Sequence, residues 1–145
     1  MKNCIDILLI EDDVHDLELA VRGLERYHLS NRVNIVRDGE QALDFIFATG
    51  PYEHRTAGGD LGLILLDLHL PRISGLEVLQ AVKADSRTSN IPVVVLTSSS
   101  EGPDIVESYR LGARGYMLKP VDFHKLVETV RQLGFHWSLM EHAPT

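Results

Sequence analysis

The sequence predicts a doubly wound α/β domain: a parallel five-stranded sheet covered by helices on both faces. Three observations predict it. Five apolar runs of strand length recur along the chain, at residues 5–10, 33–36, 63–66, 93–96 and 116–118. The segments between them carry apolar residues at three- and four-residue spacing, as helices with one buried stripe do. The end of the first run (ILLI, residues 7–10) and the whole of the third and fourth (LILL, VVVL) are apolar at every position, the pattern of strands buried on both faces. Strands and helices alternating in this way, joined by right-handed crossovers, leave few other topologies.

Taken in order, the first helix presents Leu17, Ala20, Val21 and Leu24 on one face, the second Ala42, Phe45 and Ile46. Residues 49–62 follow as a long irregular loop rich in Gly, Pro and polar side chains, of the kind that is usually functional or mobile. The third helix shows Leu76, Leu79 and Val82. The fourth starts at Gly102-Pro103-Asp104, with proline near the first helical position, and stops at Gly112. The fifth begins near Asp122 and carries the stripe Phe123, Leu126, Val130, Leu133, Trp137 and Met140. That stripe outruns one sheet. Its first half is assigned to the core, and Trp137 and Met140, on an extended helix or tail from residue 134, to contact with a second subunit.

The chain has 145 residues, enough for one core, with no linker or repeat that would divide it. Fourteen basic against 21 acidic residues give a net charge of −7, which opposes direct binding to nucleic acid or to an anionic membrane. No run approaches the length of a membrane span, and the first strand starts too early for a signal peptide, so a cytoplasmic location is expected. Cys4 is the sole cysteine, which excludes intrachain disulfides and cysteine-rich zinc sites and fits a buried thiol. His15, His28, His54, His124, His136 and His142 show no compact metal-ligand spacing and are read as surface or helix-end residues.

Chemistry-bearing residues stand where the strands end. Glu11-Asp12-Asp13 follows ILLI, Asp67 follows LILL, Thr97 follows VVVL, and Lys119-Pro120 follows GYML. Parallel α/β sheets bind ligands at that edge. Carboxylates gathered there either raise their pKa values or bind a cation, and oxygen ligands suit magnesium. Acids before a helix also cap it and complement its dipole, which accounts for part of Glu11-Asp12-Asp13. Asp67 is different: a carboxylate closing an apolar central strand faces a desolvation cost unless it does chemistry or binds an ion. As a nucleophile it accepts a phosphoryl group, with Lys119 balancing charge and the Thr97 hydroxyl binding an oxygen.

In order and spacing, the segments ILLIEDD, LILLDLHLPRISG, VVVLTSSS and GARGYMLKP resemble the receiver domains of bacterial two-component response regulators. The resemblance covers nearly all of residues 1–145 as one receiver domain. It implies a flavodoxin-like, CheY-like sheet in order 2-1-3-4-5, with magnesium as cofactor. By the same resemblance Asp67 is the phosphoacceptor, Asp12 a direct metal ligand, Glu11 an acid acting through water, and the His69 backbone carbonyl the remaining ligand. Thr97 is the switch hydroxyl, Tyr116 the switch aromatic, Lys119 the phosphoryl-binding lysine, and the Lys119–Pro120 bond is cis. His69 stands where asparagine is common, which bears on the lifetime of the acyl phosphate.

The 49–62 insertion, LPRISGLEVL and the ending PVDFHKLVETVRQLGFHW are similar to small single-domain regulators, many of them partners of bacterial phytochromes. The resemblance implies a sensor histidine kinase, a phytochrome among the candidates, as phosphodonor. It also implies a homodimer through the fourth helix, fifth strand and fifth helix, and a phosphoacceptor rather than a turnover enzyme. Two other readings stand beside it: a phosphorylation-independent pseudo-receiver, and an aspartate-nucleophile phosphatase. The phosphatase needs a second aspartate two residues after the nucleophile, where this chain has His69. A flavin carrier is disfavoured because the first βα turn is acidic and has no phosphate-cradling loop.

Overall fold

The computed structural model describes residues 6–26, 33–59 and 61–133. Five strands, β1 (Asp6–Ile10), β2 (Val33–Val36), β3 (Leu61–Leu66), β4 (Val93–Thr97) and β5 (Gly115–Leu118), form one parallel sheet in the order β2-β1-β3-β4-β5. The helices are α1 (Val14–Arg26), α2 (Gly39–Phe47), α3 (Gly75–Ala84), α4 (Gly102–Arg110) and α5 (Phe123–Gln132), so each strand but the last leads through a helix to the next. The flavodoxin-like order expected from the sequence is the one found.

Alternation along the strands divides the core in two. Leu8, Ile10, Ile64, Leu66, Val93 and Val95 face α2 and α3, whose Phe45, Ile46, Val78, Leu79 and Val82 close that layer. Ile7, Leu9, Leu63, Leu65, Val94 and Leu96 face α1 and α5, meeting Leu17, Ala20, Leu126 and Val130. Because β1, β3 and β4 serve both layers, their runs are continuously apolar. On α1, Val21, assigned from the sequence to the buried face, is only half-buried, and Gly23 is buried in its stead. The cause is a close crossing, since a Cβ on Gly23 would lie 2.5 Å from the Phe123 ring of α5.

The 49–62 segment is shorter and more ordered than the sequence suggests. β3 begins at Leu61, and a single 3₁₀ turn covers Gly50–Tyr52. Tyr52 meets Phe45 edge-on at 5.1 Å, and the Arg55 guanidinium lies over the same ring, 3.7 Å from its centroid. The Gly58 N–H donates to the Ile46 carbonyl at 2.8 Å. The insertion is thus strapped to α2, at the end of the sheet away from Asp67.

Capping fixes where helices start. Ser74 and Glu77 form a reciprocal capping box at α3, and Asp38 and Asp122 cap α2 and α5 by accepting from Gln41 and Lys125 N–H groups. α4 is docked least: Ser108 is its one buried residue, while Val106 and Tyr109 are exposed. On α5, Leu126 and Val130 are buried and Phe123 and Leu133 pack against them. Cys4, His28, His136, Trp137, His142, Met140 and the tail from residue 134 lie outside the described residues.

Candidate functional site

The sheet order places the ends of β1 and β3 side by side, Ile10 beside Leu66, so Glu11, Asp12 and Asp67 emerge together. Ligand oxygens of these three carboxylates all lie within 4.8 Å of one another. That spacing and a set of hard oxygen donors fit a divalent cation of the magnesium type. Glu11 and Asp67 are buried and Asp12 is half-buried, so the oxygens converge on a partly dry pocket.

Lys119 reaches into this pocket from the end of β5. Its ammonium donates to Glu11 Oε1 at 2.6 Å, Asp16 Oδ2 at 2.8 Å and Asp67 Oδ2 at 3.1 Å. The following Lys119–Pro120 bond is cis. Burial alone would lower the lysine pKa, but the hydrogen bonds to Asp16 and Glu11, with the charge on Asp67, outweigh it and hold the group above its usual value. Glu11 moves the other way for a carboxylate: burial pushes it up to about 7, against the Lys119 hydrogen bond, with Asp67 adding to the rise.

Backbone groups orient the acids. The His69 N–H donates to Asp67 Oδ1 at 3.1 Å, and the Asp13 N–H to Glu11 Oε2 at 3.2 Å. Asp13 caps α1, accepting from the Asp16 N–H at 3.0 Å, and this bond holds its carboxyl below the usual range. Asp67 itself is set by Gly75 at the start of α3. The Gly75 N–H donates to the Leu68 carbonyl at 3.0 Å, and a Cβ there would fall 2.4 Å from the Asp67 carbonyl oxygen.

Thr97, fully buried, closes β4. Its hydroxyl oxygen accepts from the Ser99 N–H at 3.3 Å, and the Tyr116 hydroxyl donates to the Ser99 carbonyl at 2.8 Å. Ser99 Oγ donates in turn to Asp104 Oδ2 on α4 at 2.6 Å. Ser99 therefore stands between the threonine, the tyrosine and the α4 start.

Every residue singled out at the strand ends lies along this edge. Two participants were not foreseen. Asp16 binds Lys119 directly, and its signal was its place three residues after Asp13, one helical turn into α1, where an acid is ordinarily read as a dipole partner. Ser99 acts largely through its backbone, which no side-chain pattern reveals.

A doubly wound sheet presenting an aspartate, an acidic pair, a hydroxyl and a lysine on its carboxyl edge is an arrangement shared with signalling domains of the receiver class. Residues 7–131 match the family model described as the response regulator receiver domain, and the chain belongs to that family. Response regulator Rcp1 of Synechocystis sp. is 36% identical over 131 residues, covering 90% of this chain and 87% of that protein. Among solved structures, the bacteriophytochrome response regulator RtBRR is 48% identical with a TM-score of 0.85, covering 97% of this chain and 84% of that one. The Mn²⁺-bound form of Rcp1 is 36% identical with a TM-score of 0.75, covering 89% and 91% of the two chains. The chain is thus a receiver domain related to phytochrome response regulators, and the receiver family is in general a family of signalling domains. Among the described residues no helix is long and apolar enough to cross a membrane.

Proposed function

We propose that the chain is a single-domain response regulator that takes a phosphoryl group on Asp67 from the phosphohistidine of a sensor histidine kinase, with a phytochrome as the kinase. An Asp67 carboxylate oxygen attacks phosphorus, the P–N bond breaks with its electron pair going to the imidazole, and the ring, already protonated at its other nitrogen, leaves as neutral histidine. Magnesium would be held by Asp12, Asp67 and the His69 carbonyl, with Glu11 acting through water, and would supply charge neutralisation for the transferring group. Lys119 takes a phosphoryl oxygen. Thr97 takes another, leaving Ser99, and Tyr116 and α4 readjust around the vacated bond, which is a population shift biased by the new contact.

The observation that carries this reading is the Lys119 ammonium 3.1 Å from Asp67 Oδ2 beside the three-carboxylate cluster. The bound metal in Rcp1 and the phytochrome relatives support it. Signalling then passes through the face of α4, β5 and α5, where Val106, Tyr109 and Leu118 are exposed and a second copy docks. Incubation with acetyl phosphate and magnesium, read by mass spectrometry, tests the reading: one phosphate on Asp67, none in Asp67→Asn. Phosphate on another residue, or an Asp67→Asn protein labelled as fast as wild type, would overturn it.

A further inference from the structure

We infer that Asp16 is a yielding tether on Lys119: it holds the ammonium in the unphosphorylated protein and lets go when the ammonium follows a phosphoryl group on Asp67. The inference rests on the reading of Asp67 as phosphoacceptor. A lysine ammonium has three N–H donors and no acceptor. All three are engaged here, by Glu11 at 2.6 Å, Asp16 at 2.8 Å and Asp67 at 3.1 Å. Phosphorus adds beyond the Asp67 oxygen, so the donor now on Asp67 can follow it only if the ammonium moves. The two shorter bonds resist that movement.

Solvent access decides which of them breaks. The Glu11 side chain is 5% exposed and the Asp16 side chain 33%. A carboxylate released inside the protein loses its partner and gains no hydration, whereas one at the surface is taken up by water. Asp16 therefore yields at lower cost. It sits on the first turn of α1 and, with Lys119, Pro120 and Phe123, lines a cavity of about 370 Å³ open to solvent, into which the freed carboxylate can hydrate. Its strength as a competing acceptor sets how tightly the site holds a phosphoryl group, which makes Asp16 a positioning residue acting through Lys119.

Beryllofluoride with magnesium, a phosphoryl mimic on aspartate, provides the test. Asp16→Asn keeps the shape and weakens the tether, so its affinity for magnesium beryllofluoride rises on the order of fivefold, the worth of a partly exposed charged hydrogen bond. Asp13→Asn is the charge control: it removes one charge from the same helix end, and Asp13 accepts from the Asp16 N–H rather than from Lys119. Magnesium binding alone tightens in neither variant, since less negative charge cannot favour a cation. Equal gains in the two variants, or an unchanged or weaker beryllofluoride affinity in Asp16→Asn, would overturn the tether. In the wild-type protein the carbon-13 carboxyl resonance of Asp16 shifts when beryllofluoride is added to the magnesium form. A stationary resonance refutes the inference whether or not the variant folds. Failure of wild type to bind beryllofluoride would instead strike the assignment of Asp67.

Discussion

Replacing Gly75 by alanine perturbs Asp67 through the backbone, without touching a charged group. The added Cβ would lie 2.4 Å from the Asp67 carbonyl oxygen and 2.6 Å from the Leu68 Cα, where ordinary contact begins at 3.4 Å. Both obstacles are main chain, so neither can turn aside, and the β3 end or the start of α3 must shift by about 1 Å. Overpacking of this kind costs about 1–3 kcal/mol, which for a chain of this size lowers the melting temperature by roughly 2–4 °C per kcal/mol. The same shift displaces Asp67 and the His69 backbone, and with them the metal site. At magnesium near 100 times its Kd the wild-type protein gains about 2.7 kcal/mol of stability, and a tenfold weaker site gains about 1.4 kcal/mol. Urea unfolding with and without magnesium measures both effects. Wild-type stability together with an undiminished magnesium increment in Gly75→Ala would refute the argument that this contact positions Asp67.

Two further outcomes are expected. Glu11 has a pKa raised to about 7 in the folded protein against 4.5 for the unperturbed group, so the folded state binds its proton more tightly than the unfolded chain. Its contribution is fully present below pH 4.5 and is lost as pH rises through 7. Metal-free wild type should lose urea resistance across that window relative to Glu11→Gln, and parallel profiles would contradict the shift. The Thr88 hydroxyl, fully buried, donates at 2.7 Å to the Val82 carbonyl in the last turn of α3, where no helical partner remains. Thr88→Val should cost about 1–3 kcal/mol in urea unfolding while Thr88→Ser costs much less, and equal losses would show that packing, not the hydrogen bond, matters.

The strands were legible because β1, β3 and β4 feed two cores at once, and only a continuous apolar run can do that. Asp67 was legible for a related reason: a carboxylate closing an apolar central strand faces a desolvation cost that capping does not explain. Asp16 was not, because it works through a lysine 103 residues away and an acid in a first helical turn already has an ordinary explanation. Gly23 replaced Val21 on the buried face because Phe123 crosses there, a tertiary event that helical periodicity does not encode. The composition of residues 49–62 marked a loop, yet its order comes from Tyr52 and Arg55 meeting Phe45, contacts between residues that no periodic pattern links.

α4 buries only Ser108, half-buries Ile105, and turns Val106 and Tyr109 to water. An element held so lightly opens at a fraction of the global unfolding free energy, and amide exchange should be fastest there among the five helices. Rearranging it needs little work. The Ser99–Asp104 link supplies the leash, so under the proposed function a single hydroxyl changing allegiance at the end of β4 would redraw the outline that a partner protein meets.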